Sequence, residues 1–420
     1  MRNPDAPQRL RSLDVLRGFA IVGTLGTNIW VFTSVGSDFG RLKENAEAAI
    51  ATAGTGAVWT SFDSAASALS GVLTNGKFLA LLSIMFGVGM AVQFDSARRR
   101  GQRWPWRYLW RALLLLADGF VHYLLVVEFD ILMGYALTSM VVAPLLLLRT
   151  RWLVVATVVA GGVHLALETL RAVQGMASFA PEAMRRLAAG SEYPDMLSAI
   201  DGSYLDQVSN RLTYFWEFRV EAFLISPPLS AFLFLCGALL WRSGVFTDAA
   251  TRRRVSRRLA VLGLGTGFPL SLLPLLPLPG DPAWSLVLGS FDRYTIAPIV
   301  AFGYLGLVLV LLERRGGTGR VARRLTDVGR TALSTYMLQN VVASVLFYRW
   351  GLGLGPVGAL GSLLAWAGIT ALLMLAAHLW LRRHSQGPFE MVWKAGVDAP
   401  FRARDRRRAA VATPDRTGVR

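Results

Sequence analysis

One histidine, His122, stands among carboxylates in the first third of the chain. Asp118 precedes it by four residues, so the two side chains share one face of a helix, and Glu128 and Asp130 follow in a short polar turn. A carboxylate beside a histidine orients the ring and strengthens it as a base. The spacing predicts that His122 is a general base oriented by Asp118 or Asp130. A buried histidine with a purely structural role fits the same pattern.

Further polar side chains that could bind a substrate lie within apolar segments or at their edges. The amides of Gln339 and Asn340 fall near the middle of one segment, where they are expected to face the protein interior rather than lipid. Asn28, Lys77 and Glu128 fall near the ends of theirs. If Lys77 and Asn28 converge with Asp63, which lies near the same level, they form an outward pocket for a hydroxyl-bearing acceptor. Lys77 could instead neutralise the carboxylates that follow His122.

The elements that must position these residues are apolar helices. The chain has 420 residues, of which 53% are hydrophobic and 17% charged, and its mean hydropathy is +0.43. Such a chain belongs in a bilayer, where a helix of about 20 apolar residues spans the hydrocarbon. We therefore predict an all-α, polytopic transmembrane bundle of about ten helices. The apolar segments are 13–33, 78–94, 106–127, 130–148, 152–170, 221–241, 259–278, 294–312, 328–348 and 357–381. Residues 56–75 could add a re-entrant or interfacial piece, and four prolines between 269 and 279 must kink or end the seventh helix.

Charge alternates between the segments that join these helices. Every second joining segment, with both termini, holds 34 basic and 10 acidic residues in total. Basic loops stay in the cytoplasm, so both termini are predicted to be cytoplasmic and the protein to lie in the cell inner (plasma) membrane. The net charge of +17 is spread over these loops, which argues against a nucleic-acid partner.

The same pattern sets the domain organisation. We predict one transmembrane domain over 1–395, with five helices on each side of a long outer loop at about 171–220 that covers the membrane surface as amphipathic pieces. A basic, disordered tail is predicted at 396–420. The four histidines are scattered and there is one cysteine, Cys236, so no metal site is predicted.

Five motifs in order resemble a known family. They are RSLDVLRGFAI from Arg11, NGKFLALLSIMFG from Asn75, the segment from His122 to Leu132, VGRTALSTYMLQN from Val328 and GPFEMVWK from Gly387. Together they resemble the bacterial YeiB-like (DUF418) membrane proteins over about residues 10–395. The first motif is also similar to one in the transmembrane acyltransferase superfamily, which includes heparan-alpha-glucosaminide N-acetyltransferase and the acyltransferase-3 proteins.

That second similarity implies an activity. Such enzymes move an acyl group from cytoplasmic acyl-CoA, here a co-substrate, to a glycan or small-molecule acceptor on the far side. Arginines near the cytoplasmic side then become candidates for CoA phosphates, because guanidinium forks bind phosphate bidentately. The set expected to bind CoA is Arg11, Asp14, Arg17, Arg107, Arg111 and Arg330. As alternatives, Arg107 and Arg111 are membrane anchors, and Asp14 with Arg17 is an ion pair that fixes the first helix near Arg330.

Two other functions fit the same residues. A proton-coupled transporter or exporter of a small polar solute would relay protons through Asp118, His122 and Glu128, since ionisable groups within a membrane often form proton paths. A membrane assembly factor without chemistry is the third reading. The bilayer is the expected partner in every case, and a homo-oligomer is compatible with each.

Overall fold

A computed structural model describes residues 6–33, 62–178, 185–186, 189, 202–220, 223, 226–276, 283–315 and 319–412, and this part of the chain contains no strand. The all-α prediction is therefore confirmed. The first six helices are α1 (Ala6–Thr33), α2 (Phe62–Thr74), α3 (Lys77–Arg99), α4 (Trp106–Leu125), α5 (Leu132–Leu145) and α6 (Thr150–Ser178). The next five are α7 (Tyr204–Thr213), α8 (Phe215–Val220), α9 (Ser226–Arg242), α10 (Ala249–Ser271) and α11 (Ala283–Phe291). The last five are α12 (Ala297–Arg314), α13 (Arg320–Arg330), α14 (Ala332–Phe347), α15 (Ala359–Leu381) and α16 (Pro388–Ala412).

Seven helical segments among the described residues are long and apolar enough to cross a membrane, against about ten predicted. They are 11–33, 62–99, 106–125, 150–174, 249–275, 287–314 and 359–381. The other three predicted spans correspond to α5, α9 and α14, which have only 14, 17 and 16 residues. At 1.5 Å per residue these helices are shorter than about 30 Å of hydrocarbon. All three helices begin later than predicted. The carboxylate of Asp130 caps the start of α5, and α14 begins after a break in the helix at Thr331.

Two other sequence features have local structural counterparts. The piece predicted at 56–75 is α2, and it joins α3 through a tight turn at Gly76, where φ is +70°; residues 56–61 lie outside the described part of the chain. Pro269 lies inside the last turn of α10, and the helix ends at Ser271 before a short 3-10 turn. Pro277 and Pro279 are not described.

The helices pack in close pairs. The backbones of α1 and α13 approach each other very closely. A Cβ added to Gly18 of α1 would lie 2.0 Å from the carbonyl oxygen of Leu325, and a Cβ added to Gly329 of α13 would lie 1.9 Å from the carbonyl oxygen of Asp14. Backbones this close require glycine at the contact. The first motif of the sequence therefore packs directly against the helix that leads into α14.

Ion pairs join helix ends that the charge pattern puts on one side. Lys77 at the start of α3 pairs with Asp292, just before α12. On the opposite side, Arg253 near the start of α10 pairs with Glu313 at the end of α12. The up-and-down order of these helices therefore agrees with the alternation of basic and acidic loops.

The described part of the outer loop packs over the outer end of α4. Ser203 caps α7 and holds the pKa of Asp206 below its usual value by hydrogen bonding. Tyr204 donates to the Leu125 carbonyl and Tyr123 to the Arg211 carbonyl. The segment thus covers the end of the bundle, although Glu192, Tyr193, Asp195 and Asp201 lie outside the described residues.

The predicted disordered tail differs from the structure as far as residue 412. Residues 388–412 form α16, because this segment has partners on α4: Asp398 pairs with Arg107, and Trp110 donates to the Gly396 carbonyl. Residues 413–420 lie outside the described part of the chain.

Candidate functional site

His122 and Asp130 form a buried pair at the outer end of α4. His122 Nδ1 lies 2.8 Å from Asp130 Oδ2, and the two side chains are 2% and 0% exposed. Since a carboxylate accepts, Nδ1 carries the proton and Nε2 presents its lone pair. The other carboxylate oxygen, Oδ1, accepts from the backbone N–H groups of Leu132 and Met133 at 2.8 and 3.2 Å. Asp130 therefore caps α5 and orients His122 at the same time.

The Nε2 side of the ring faces α14. Asn340 Nδ2 lies 3.4 Å from Nε2, and the Tyr336 ring centroid is 5.4 Å from that of His122. An amide N–H aimed at Nε2 matches a neutral imidazole with a free lone pair there. The structure thus brings His122 next to Asn340, a contact that the sequence pattern did not indicate.

The amides of α14 leave polar atoms buried without partners. Gln339 and Asn340 are 0% exposed, which agrees with their expected orientation. Within the described residues, no group hydrogen-bonds Gln339 Oε1, Gln339 Nε2 or Asn340 Oδ1. A buried polar atom without a partner costs about 1–3 kcal/mol, so these atoms are suited to hydrogen-bond a polar group that enters the bundle.

Asp118 has a different position from Asp130. It lies one helical turn before His122, and its buried Oδ2 has no partner among the described side chains and backbone groups. The sequence left Asp118 and Asp130 as alternatives for orienting the ring. The direct contact is made by Asp130.

An arginine that sequence reasoning missed fixes the turn containing Asp130. Arg219 of α8 is 2% exposed and donates to the carbonyls of Glu128 and Asp130 at 2.9 and 2.6 Å. Its guanidinium also lies 5.1 Å from the Tyr123 ring centroid. Glu128, a predicted substrate-binding residue, is buried in this turn. The outer loop therefore holds the His122–Asp130 site in place.

A cavity of about 110 Å³ lies on the other side of Asp130, between α3, α5 and α9. Its polar wall includes Ser83, Asp130, Tyr135, Arg219, Ser230 and Arg293. A smaller cavity of about 40 Å³ adjoins it and is lined by Thr24, Thr27 and Asn28. Gly76, Phe129 and Arg293 belong to both walls, so Asn28 lies beside the same space as Asp130.

A π-helical turn at Asp292–Ile296 forms one wall. In it, the Ala297 N–H donates to the Asp292 carbonyl instead of to a carbonyl four residues back. His164 Nε2 donates to the Tyr294 carbonyl at 2.8 Å, which gives His164 a structural role. Such turns occur often at functional sites, and this one puts Arg293 and Tyr294 on the cavity.

Lys77 does not contact the carboxylates near His122. Its ammonium is 0% exposed and lies 2.7 Å from Asp292 Oδ2, whose Oδ1 accepts from Ser271 at 2.7 Å. The proposal that Lys77 neutralises Asp130 and Glu128 is corrected accordingly. As the first residue of α3, Lys77 meets the π-helical turn instead, and the buried pair joins α3, α10 and α12.

The arginine set expected to bind CoA is spread over α1, α4 and α13. Arg107 pairs with Asp398 and stacks 4.9 Å from the Phe401 ring centroid, and Arg111 lies 4.1 Å over Trp393. Both therefore dock α16. The remaining contacts are Arg17 Nη1 to Asp14 Oδ1 at 3.5 Å and Arg330 Nη2 to the Ser385 carbonyl at 2.9 Å. Arg11 lies on α1 six residues before Arg17, which is about 1.7 turns.

No group of three or more His, Cys, Asp or Glu side chains in the described ranges could hold a metal ion. The chemistry that these residues offer is acid–base and hydrogen-bonding chemistry. A buried His–Asp pair and a polar cavity enclosed by long apolar helices define a multi-pass helical membrane protein with a candidate site inside the bundle.

Comparison with known proteins finds one family match and two relatives that cover nearly the whole chain. Residues 240–399 match the family described as "Protein of unknown function (DUF418)". The chain is 29% identical over 402 residues to "Uncharacterized protein YxaH" of Bacillus subtilis, covering 93% of this chain and 94% of the relative. It is 28% identical over 403 residues to "Uncharacterized protein YeiB" of Escherichia coli, covering 92% and 96%. No solved structure matches. The chain therefore resembles YeiB-like proteins over nearly its full length, and its residues 240–399 match the DUF418 family.

Proposed function

We propose that the protein is a plasma-membrane acyltransferase that moves an acyl group from cytoplasmic acyl-CoA to an extracytoplasmic hydroxyl or amine. The observation that carries the proposal is the buried His122–Asp130 pair, with Nδ1 held by the carboxylate and Nε2 directed at the Asn340 amide of α14. This arrangement is what a general base requires, since a third group fixes its tautomer and orientation.

In the proposed step, His122 Nε2 takes the proton from the acceptor hydroxyl or amine. The acceptor atom forms a bond to the thioester carbonyl carbon, and the carbon–sulfur bond breaks. The CoA thiolate leaves and receives the proton from the imidazolium, so His122 returns to its neutral form. Asp130 stays ionised throughout and stabilises the transient positive charge on the ring.

The α14 amides have a role in the same step. Negative charge develops on the thioester oxygen as the acceptor attacks, and N–H groups aimed at that oxygen lower the barrier. Asn340 Nδ2 lies 3.4 Å from His122 Nε2, and Gln339, the preceding residue of α14, has no side-chain partner among the described residues. We assign these two amides to the oxyanion.

The acyl donor would approach from the opposite end of the bundle. The side chains of Arg17 and Arg107 are 32% and 35% exposed, so a phosphate can reach their outer edges even while they hold Asp14 and Asp398. Acyl-CoA binding at this end is thus compatible with the docking of α16.

The test is transfer from radiolabelled acetyl-CoA by purified protein in liposomes, with amino sugars and polyols as acceptors. Wild type and a control variant, His384→Ala on the exposed cytoplasmic side, should transfer label, whereas His122→Ala should lose about 10²–10⁴-fold of the rate. Equal rates in His122→Ala and wild type would remove His122 from the mechanism.

A proton-coupled transporter is a second candidate, favoured by the cavity. The cavity beside Asp130 has charged groups in its wall, and His122 is not part of that wall. A transporter could therefore bind its solute in this cavity and carry protons through His122, at a separate place. The distinguishing measurement is solute uptake into protein-containing liposomes driven by a pH gradient without acyl-CoA. Absence of uptake over a broad panel of polar solutes, with acyl transfer present, contradicts this candidate.

A further inference from the structure

We propose that the cavity of about 110 Å³ whose wall includes Arg293 binds an anionic group, a phosphate or carboxylate, of the acceptor. The identification of the ligand as the acceptor rests on the proposed function. The presence of an anion site in the cavity rests on the geometry alone.

Arg293 lines the cavity and has N–H donors that are not used by the described residues. Its Nη1 donates to Asn75 Oδ1 over a long 3.4 Å, and its buried Nε has no partner among the described residues. Within the same part of the chain, no carboxylate forms an ion pair with it. A guanidinium has five N–H donors in a fixed fork that fits phosphate or carboxylate oxygens.

The charge of the cavity wall is positive overall. Two guanidinium groups, Arg219 and Arg293, and one carboxylate, Asp130, line it. The carboxylate is already shared between His122 and the first N–H groups of α5, and the neighbouring Lys77 and Asp292 neutralise each other. An anion beside Arg293 would therefore meet a guanidinium that has no described ion-pair partner, in a site of low dielectric where the attraction is strong.

The size and hydroxyl groups of the cavity limit the ligand. A cavity needs about 10–15 Å³ per water by this measure, so about 110 Å³ admits one small anionic group with a few linked atoms. Ser83, Tyr135 and Ser230 add hydroxyls to the wall. A long acyl chain does not fit this polar space, which leaves the acceptor rather than the donor as its occupant.

The position of the cavity links the anion to the chemistry. Asp130 lines the cavity and holds His122 on its other side. An acceptor anchored by its anion at Arg293 would place its remaining atoms beside the turn that carries the base. Positioning of this kind contributes to rate by holding the reacting groups together.

Thermal unfolding of the purified protein in neutral detergent provides the test. The probes are glycerol phosphate and glycerol, which share hydroxyls and differ in the anion. Nanodiscs of phosphatidylglycerol and of phosphatidylcholine distinguish a lipid headgroup from a free anion. Glycerol phosphate or phosphatidylglycerol should stabilise wild type in a saturable way, and the neutral member of that pair should not.

Two kinds of variant locate the effect. Arg293→Gln should weaken binding of the anionic probe at least about tenfold, as expected on losing a charge-assisted contact, whereas Arg253→Gln, on the exposed far side, should bind like wild type. Ser230→Leu should also abolish binding by filling the cavity, and Ser230→Ala should not. Equal stabilisation by charged and neutral probes in wild type, or full binding by folded Arg293→Gln, would overturn the proposal.

The result of the anion-binding test can be distinguished from the result of the acyl-transfer test. His122→Ala should keep anion-dependent stabilisation although it loses transfer. Anion binding without any transfer supports the site and contradicts the acyltransferase. Acyl transfer without anion binding supports the acyltransferase and contradicts the anion site.

Discussion

At the residue scale, the two carboxylates near His122 are expected to differ in importance. Asp130→Asn exchanges an acceptor for an amide at the contact with Nδ1, which favours the wrong tautomer, so the transfer rate should fall by about 10²-fold or more. Asp118→Asn should have a much smaller effect, because Asp118 makes no described contact with the ring. Rates measured on both variants at equal protein content check this difference. Equal losses from the two substitutions would contradict it.

The unpartnered amide of Gln339 gives a second residue-scale prediction. Gln339→Leu removes two buried polar atoms that have no described partner, so it should stabilise the protein by about 1–3 kcal/mol and yet lower the transfer rate. The measurements are thermal unfolding and acetyl transfer on the same preparation. A substitution that destabilises the protein would show that Gln339 has a structural partner, and one that leaves the rate unchanged would remove it from the oxyanion site.

The residues of the site were predictable from the sequence only where they are local. His122 and Asp130 are eight residues apart, and an amide in mid-segment must face inward, so spacing and hydropathy were sufficient. Arg219 and Arg293 reach the site from distant parts of the chain, and near the ends of apolar segments an arginine resembles an ordinary membrane anchor. No pattern in the sequence indicates which helix ends adjoin.

At the element scale, the buried pair Lys77–Asp292 holds three helices together. Lys77→Met or Asp292→Leu alone leaves an uncompensated buried charge and should destabilise the protein by about 3–5 kcal/mol. The double variant should recover most of this loss, because it replaces the pair by apolar groups. Thermal unfolding of the three variants tests the coupling. Additive losses in the double variant would show that the two residues act separately.

The contact between α1 and α13 is a second prediction at this scale. An alanine at Gly329 would place its Cβ 1.9 Å from the Asp14 carbonyl oxygen, so Gly329→Ala should force the helices apart and destabilise the protein by about 1–3 kcal/mol or more. The control is Gly162→Ala, where no atom lies within 4 Å of the new Cβ. Unfolding temperatures that agree for the two variants would contradict the close approach.

The sequence predicted the presence and type of the helices better than their lengths. Apolar segments located the helices, because a run of apolar residues is the direct requirement of the bilayer. Their ends depend on groups outside each segment, such as the Asp130 cap of α5. The π-helical turn before α12 depends on partners such as His164, and hydropathy carries no information about it.

At the scale of the whole molecule, α16 is expected to be docked by two arginines of α4. Arg107→Ala with Arg111→Ala removes the contacts to Asp398, Phe401 and Trp393, so α16 should detach and become cleavable near residues 388–412. Limited proteolysis measures this, with Arg382→Ala and Arg383→Ala, two exposed arginines, as the matched control. Cleavage at the same rate in both double variants would contradict the docking role.

The proposed function needs His122 in the outer half of the bundle and the arginines in the inner half. Ion pairs join ends of the same predicted side, and the outer loop clamps the Asp130 turn through Arg219. A donor entering from the cytoplasm and an acceptor bound outside would therefore meet near α14. Acyl transfer from one side of the membrane to the other therefore requires the intact bundle.

The most direct measurement is chemical rescue of the missing base. Acetyl transfer by His122→Ala in liposomes is measured with and without added imidazole, beside wild type. If His122 is the base, the variant should be nearly inactive, and imidazole should restore part of its rate while leaving wild type unchanged. A variant that transfers at the wild-type rate without imidazole would contradict the central role of His122.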